Sequence, residues 1–133
     1  MIDEQSEIIV SEIQTQSGHF IGTLTLNAPK RMNSLTLEMV STMLAALVSW
    51  ETREEIVCVV IDGRGERAFC AGADIKKLYF SCMASGDEDP ELTSYATQFF
   101  TVEYQLDRLL HEYKIPTVCL AHGVVMGGGL GIF

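Results

Sequence analysis

Two glycine-containing turns carry the residue pattern best suited to chemistry. Residues 68–76 read Ala-Phe-Cys-Ala-Gly-Ala-Asp-Ile-Lys, and residues 122–129 read His-Gly-Val-Val-Met-Gly-Gly-Gly. Each turn follows an apolar, β-branched run and opens into a helix-like segment. Glycine permits positive φ and lets a bound molecule approach the backbone, and the first N–H groups of a helix lack internal partners. Two such turns can aim two N–H groups at one oxygen and stabilise negative charge that develops there.

Other chemistries fit these residues less well. Either turn taken alone can simply join a strand to a helix, and neither has the lysine and Ser/Thr of a nucleotide-phosphate loop. Cys70 and His122 are of the types that form a nucleophilic dyad, but we interpret Cys70 as a small residue in its turn and His122 as a packing residue at a strand end. Neither a CxxC motif nor metal-ligand spacing occurs among the four cysteines, Cys58, Cys70, Cys82 and Cys119.

Length and charge limit the function classes. The 133 residues form one domain or part of one, with 18 acidic against 9 basic side chains and a net charge of -9. Nucleic-acid binding needs clustered Lys and Arg, so it is not expected. No apolar run approaches the roughly 20 residues of a membrane span. Met1–Gln5 lacks the basic and apolar regions of a signal peptide, so we expect a cytoplasmic protein, or a mitochondrial matrix protein in a eukaryote.

The first half of the chain predicts a hairpin, a helix and a buried strand. Glu7–Gln14 and His19–Leu26 are β-rich and flank a turn at Ser17-Gly18. A helix of about 15 residues is expected to begin after a cap at Ser34 or Thr36. The continuous β-branched run Ile56–Ile61 is typical of a strand covered on both faces.

The second half alternates helices and strands around the glycine turns. The pattern predicts a short helix at Ile75–Phe80, a polar loop at Ser81–Glu91, a long helix at Leu92–His111 and a buried strand at Thr117–Ala121. Strands that alternate with helices indicate a mainly parallel α/β layer. The two glycine turns then follow the same ends of parallel strands, so we expect them to lie close together.

Three segments resemble the crotonase (enoyl-CoA hydratase/isomerase) superfamily in the right order: Leu26–Leu35, Ala68–Lys76 and Gly123–Gly129. Within it, the pair Glu103-Tyr104 and the run His122–Gly131 are most similar to 3-hydroxyisobutyryl-CoA hydrolases. The resemblance implies a spiral of β-β-α units, of which residues 1–133 are the N-terminal part of a single domain. It also implies an acyl-CoA thioester substrate, no separate cofactor because coenzyme A belongs to the substrate, a homo-oligomer such as a trimer, and a role in valine catabolism.

The same resemblance assigns roles to individual residues. The backbone N–H groups of Ala73 and Gly128 form an oxyanion hole, and Glu103 contacts the substrate. Further substrate contacts are implied along the two turns, at Ala71, Gly72, Asp74, Ile75, Lys76 and Gly127. The pairs Lys30-Arg31 and Lys76-Lys77 are candidate partners for the phosphates of coenzyme A, or ordinary surface cations.

One position departs from the hydratase pattern. Hydratases carry a glutamate two residues after the triple glycine, where this chain has Gly131, which cannot position or deprotonate a water. The hydrolases accept glycine there, and their catalytic Glu and Asp follow in a segment beyond Phe133. We therefore predict hydrolysis of a short 3-hydroxyacyl-CoA thioester. The alternatives are an enoyl-CoA isomerase, and a non-catalytic module for acyl-CoA binding or assembly.

Overall fold

The computed structural model describes residues 5–85 and 94–133. Six strands and four helices follow in the order β1 (Ile8–Gln14), β2 (Phe20–Leu26), α1 (Leu37–Glu51), β3 (Ile56–Gly63), β4 (Ala68–Cys70), α2 (Ile75–Ser85), α3 (Tyr95–Glu112), β5 (Thr117–Cys119), β6 (Val124–Val125) and α4 (Gly128–Ile132). A 3-10 turn at Pro29–Arg31 separates β2 from α1. The mixed α/β class predicted from the sequence is confirmed.

The main sheet has four strands in the order β1-β2-β3-β5. The predicted hairpin is present, since β1 and β2 pair antiparallel from Ile8 opposite Leu26 to Gln14 opposite Phe20. The pairs β2–β3 and β3–β5 are parallel. Strand β3 is thus interior to the sheet, with Ile56, Val59 and Ile61 buried. The prediction that both of its faces are covered is not met within the described residues, since Val57 is 42% exposed and the other residues of the strand are half-buried.

A second, two-stranded sheet was not predicted. Strands β4 and β6 pair in parallel, with Ala68 opposite Val124 and Cys70 opposite Val125. The sequence analysis assigned both segments to turns, because strands of three and two residues are too short to show periodicity. Their pairing is what fixes the two glycine turns side by side.

Helix α1 covers the main sheet and packs against α3. The Thr36 side chain caps α1 by accepting a hydrogen bond from the Met39 N–H, as predicted for one of two candidate caps. Its buried face contributes Met39, Val40, Met43, Leu47 and Trp50 to the core. The Tyr95 hydroxyl on α3 accepts a hydrogen bond of 3.1 Å from the Leu37 N–H, which fixes the start of α3 relative to the start of α1.

Two element predictions need correction. Helix α2 continues to Ser85, so the predicted polar loop does not begin at Ser81; the rest of that loop, and Leu92, lie outside the described residues. Strand β5 ends at Cys119 and is an edge strand with its first two residues exposed, not a buried strand. None of the described helices is long and apolar enough to cross a membrane.

Candidate functional site

The two glycine turns are in contact. A Cβ atom added to Gly72 would lie 3.0 Å from the Met126 carbonyl oxygen and 3.4 Å from the Gly128 nitrogen. Gly72 and Gly127 both have positive φ, of 91° and 54°, so both positions favour glycine for conformation, and Gly72 favours it for space as well. The proximity predicted from parallel strand ends is thereby confirmed.

Two backbone donors at this contact have no acceptor. On either side of Ala73, the Leu35 N–H donates to the Gly72 carbonyl at 2.7 Å and the Asp74 N–H donates to the Leu35 carbonyl at 2.8 Å. The Ala73 N–H itself makes no hydrogen bond within the described residues. The same holds for the N–H of Gly128, the first residue of α4. Unpaired N–H groups beside a helix N-terminus are the type of donor that binds a developing oxyanion.

A buried asparagine holds the first turn in place. The Asn33 amide donates to the carbonyls of Arg64, Ala68 and Phe69 at 2.9, 3.1 and 3.0 Å, and its Oδ1 accepts from the Ala28 N–H at 2.8 Å. Asn33 is fully buried and adopts a left-handed φ of 54°, which Asn tolerates better than most residues. The sequence analysis included Asn33 in the family-like segment and gave it no role.

Glu103 lies directly against the second turn. It is 8% exposed, and a Cβ atom added to Gly128 would overlap its Oε1 atom. The structure therefore brings together Glu103 and Gly128, two residues that were predicted for the site, and Gly128 in turn lies beside Gly72, the neighbour of Ala73 in the chain. It also explains why residue 128 must be glycine, since any side chain there would displace the carboxyl group.

A second carboxyl group, which the sequence analysis missed, accompanies Glu103. Asp107 follows one turn later on α3, and a Cβ atom added to Gly131 would lie 2.9 and 3.0 Å from its two carboxylate oxygens. Burial, and then the neighbouring Asp107, raise the pKa of Glu103; burial raises the pKa of Asp107. The four-residue spacing from Glu103 was the available signal, because it places both side chains on one face of a helix.

The other predicted contact residues are spread along the first turn. The Ala71 N–H donates to the Met32 carbonyl at 3.0 Å, and Asp74 Oδ1 accepts from the Lys77 N–H at 3.2 Å. Ile75 is 76% exposed and Lys76 is exposed, so both are accessible to a ligand.

The basic side chains that are candidate partners for phosphate differ in whether they already form ion pairs. Arg31 forms an ion pair with Glu7 at 2.5 Å and lies 3.8 Å from Asp74, so its charge is already compensated. Lys30 and Lys76 are exposed. The lysines therefore remain the better candidates for contact with a phosphate.

A cysteine nucleophile is not supported. Burial raises the pKa of Cys70 to about 11, so its thiol stays protonated near neutral pH and is a weak nucleophile. The His122 Nε2 atom lies 2.7 Å from the Gly65 carbonyl oxygen and is engaged there. Across residues 5–85 and 94–133, no cluster of three or more His, Cys, Asp and Glu side chains could hold a metal ion.

The sequence of this chain is similar to that of a known protein family and of several known proteins. The family described as enoyl-CoA hydratase/isomerase matches residues 21–133. Mitochondrial 3-hydroxyisobutyryl-CoA hydrolase from Danio rerio is 38% identical over 122 residues, which are 92% of this chain and 30% of that protein. Small ribosomal subunit protein mS47 from Neurospora crassa is 31% identical over 130 residues, which are 98% of this chain and 24% of that protein.

A solved structure reproduces the fold. Carnitinyl-CoA dehydratase from Mycobacterium thermoresistibile superposes with a TM-score of 0.81 at 38% identity, covering 96% of this chain and 34% of that one. The chain thus spans about 30% of the length of the hydrolase and about a third of the dehydratase.

Proposed function

This chain belongs to the enoyl-CoA hydratase/isomerase, or crotonase, family, and we propose that the protein containing it hydrolyses a short 3-hydroxyacyl-CoA thioester. The crotonase-like fold predicted from the sequence is confirmed by the superposition over 96% of the chain. The observation that carries the proposal is the contact between the two glycine turns at Gly72 and Gly128, where the N–H groups of Ala73 and Gly128 have no acceptor among the described residues.

The proposed role of these donors is to polarise the thioester carbonyl. When a nucleophile attacks that carbon, the oxygen takes up negative charge, and preorganised N–H groups stabilise the charge without having to reorient. Glycine at position 72 lets the two turns pack closely, since a Cβ atom there would lie 3.0 Å from the Met126 carbonyl oxygen. The acid and base that complete hydrolysis would come from outside these 133 residues.

Hydrolysis is favoured over hydration by Gly131 and by the named relatives. Gly131 carries no acid, and the space that its side chain would need is occupied by the Asp107 carboxyl group. Relatives from seven vertebrates named 3-hydroxyisobutyryl-CoA hydrolase, mitochondrial, such as those from Danio rerio and Homo sapiens, match 84% or more of the chain. We further propose a mitochondrial matrix location, a homo-oligomeric assembly and a role in valine catabolism for the eukaryotic protein.

A second candidate function follows from the ribosomal relative. The mS47 protein matches nearly the whole chain, so this scaffold also occurs in a protein named for a ribosomal subunit. The alternative is a binding or assembly module that retains the two turns and has no turnover.

The test is release of free thiol from 3-hydroxyisobutyryl-CoA by the full-length natural protein. We expect thiol release at a rate proportional to enzyme concentration. Movement of the double bond in a 3-enoyl-CoA without thiol release would instead identify an isomerase. Binding of acyl-CoA without either reaction, or co-sedimentation with ribosomal subunits, would favour the second candidate.

A further inference from the structure

Two carboxyl groups on one face of α3 lack the partners that buried charges need. Glu103 is 8% exposed, and its carboxyl group makes no hydrogen bond or ion pair within the described part of the chain. The Oδ1 atom of Asp107 is buried and also without a hydrogen-bond partner there. Buried carboxylates are normally paired with a cation or with several donors, so the enclosed Glu103 beside a half-buried Asp107 needs an explanation.

Both carboxyl groups face the same short helix. Glu103 Oε1 lies where a Cβ atom of Gly128 would be, and the Asp107 oxygens lie 2.9 and 3.0 Å from where a Cβ atom of Gly131 would be. Helix α4 is built from Gly, Leu and Ile alone, so it supplies neither a proton nor a counter-charge to either group.

The other elements around α3 do not neutralise the pair. Strand β4 contributes the Cys70 thiol, whose pKa is raised by burial and, to a smaller extent, by Glu103. Helix α1 contributes Glu38 and Glu51, and α2 contributes the exposed Lys76 and Lys77. Among all the described residues, Asp107 is the only charged group with a resolved effect on the pKa of Glu103, and it raises that pKa.

Resting on the function proposed above, we propose that Asp107 is a positioning residue for Glu103: the negative charge of Asp107 keeps Glu103 protonated, and neutral Glu103 faces the thioester oxygen. The proton resides on Glu103 and the negative charge on Asp107, since an aspartic acid is intrinsically the stronger acid and Asp107 is only half-buried. Two like charges one helical turn apart, with no cation between them, oppose each other's ionisation.

A neutral Glu103 is what the neighbouring oxyanion hole requires. The carboxyl group borders Gly128, whose N–H would hold the developing oxyanion, and an ionised carboxylate at that place would repel the same charge. A protonated carboxyl group removes the repulsion and can donate a hydrogen bond to an oxygen of the acyl group. Asp107 would therefore control the reaction through Glu103 without touching the substrate.

The test compares Asp107→Asn with the wild type in the full-length natural protein. Asn keeps the shape of Asp107 and removes its charge, so the pKa of Glu103 should fall. The pH at which kcat/KM for thiol release declines should move by the same amount towards acid. The control is Glu112→Gln, which removes an exposed carboxylate from the same helix, where it pairs with Arg108; its profile should match the wild type.

A second measurement is independent of turnover. The side-chain carboxyl carbon of Glu103 is followed by 13C NMR across pH, with Glu103→Gln for assignment. A Glu103 pKa that is ordinary, or the same in Asp107→Asn as in the wild type, would overturn the proposal whatever the activity. A raised pKa that depends on Asp107, in a protein that releases no thiol, would support the effect of Asp107 on Glu103 and overturn the proposed hydrolase function.

Discussion

At the scale of single residues, Asn33 and Glu7 hold the first glycine turn and its surroundings in place. Asn33 connects three carbonyl groups around β4 to the segment before α1. Glu7 accepts hydrogen bonds from Arg31 at 2.5 Å and from the Thr36 hydroxyl at 3.3 Å, so it links β1 to the same segment. Neither residue contacts a proposed donor, so both contribute to function by fixing the backbone that carries Ala73.

Replacing Asn33 should destabilise the protein. Asn33→Asp keeps the side-chain shape but replaces the amide donor by an oxygen that faces three carbonyl oxygens. We expect the free energy of unfolding to fall by roughly 3 kcal/mol, because buried acceptors lose their donor, as measured by urea denaturation. Asn27→Asp is the matched control, since Asn27 is only half-buried and its amide donates to the Ser6 carbonyl near the surface; it should cost about 1 kcal/mol or less. Equal losses in the two variants would contradict the role of Asn33.

The Glu7 interaction should depend on pH. The hydrogen bond from Arg31 lowers the pKa of Glu7 below its usual value, so the stability that it contributes is present above the unfolded pKa and is lost as pH falls through the folded pKa. Because both side chains are about one-third exposed, we expect Glu7→Gln to cost only about 0.5–1 kcal/mol at pH 7. Denaturation at pH 7 and near pH 3 is the measurement. A difference that persists unchanged at the lower pH would contradict the ion pair as its source.

At the scale of elements, the site depends on how α3 meets α4. Four of the five residues of α4 are glycine or isoleucine, and its glycines leave room for the two carboxyl groups on α3. Helix α4 is too short to be stable alone, so this contact and its contact with β4 position the Gly128 N–H.

A double-mutant cycle can measure the fit between these helices. Gly131→Ala places a methyl group 2.9 Å from an Asp107 oxygen, and we expect it to cost about 1–3 kcal/mol of stability because the carboxyl group must move. In an Asp107→Ala background the space is open, and the same change should cost less than half as much. Thermal denaturation of the four proteins gives the coupling energy. Additive effects would show that Asp107 does not fill the space beside Gly131.

The sequence predicted the elements with strong periodicity and missed those that depend on tertiary contacts. Strand β3 and helix α1 were predictable because the spacing of apolar residues along each element indicates its type and its buried face. Strands β4 and β6 were missed because two or three residues contain no period. Strand β5 was predicted to be buried, since an apolar sequence does not reveal that a strand lies at a sheet edge.

The candidate site was likewise predicted only in part. Its backbone donors were predictable from glycine spacing and family resemblance, while their roles at Ala73 and Gly128 stay predictions. Asp107 was not predicted because its role depends on its contact with Gly131, which lies 24 positions away in the chain and is adjacent to it only in the folded state.

At the scale of the whole molecule, the chain matches about 30% of the length of its hydrolase relatives, and its last elements expose large apolar side chains. On β5 and around α4 these are Val118, Leu120, Met126, Leu130 and Phe133. Where large exposed apolar side chains form a continuous patch, another part of the same protein or a partner usually covers it. That residues 1–133 form the first part of a single domain remains a prediction consistent with this surface.

The isolated 133-residue chain should therefore self-associate. We expect it to bind a hydrophobic dye and to elute above its monomer mass in size-exclusion chromatography with light scattering. Leu130→Lys with Phe133→Lys should reduce both effects, because charged side chains oppose burial of this surface. Val48→Lys with Ile13→Lys, which changes two exposed apolar residues elsewhere, is the matched control. A monomeric wild-type chain that binds no dye would contradict the expectation.

The central claim is that the Ala73 and Gly128 N–H groups hold the developing oxyanion, and backbone substitution at Ala73 tests it most directly. An ester in place of the peptide bond at Ala73, introduced into the full-length protein, removes the N–H and leaves the side chain unchanged. The Gly72 carbonyl that accepts from the Leu35 N–H becomes a weaker ester acceptor, while the hydrogen bond from the Asp74 N–H to the Leu35 carbonyl is unchanged, so the turn should persist. An ester at Leu120, whose N–H donates to the Ile61 carbonyl at 2.8 Å, is the control. The account predicts that kcat for thiol release falls roughly 10²–10³-fold with the Ala73 ester and is retained with the Leu120 ester. An Ala73 ester that releases thiol at the wild-type rate would contradict the account.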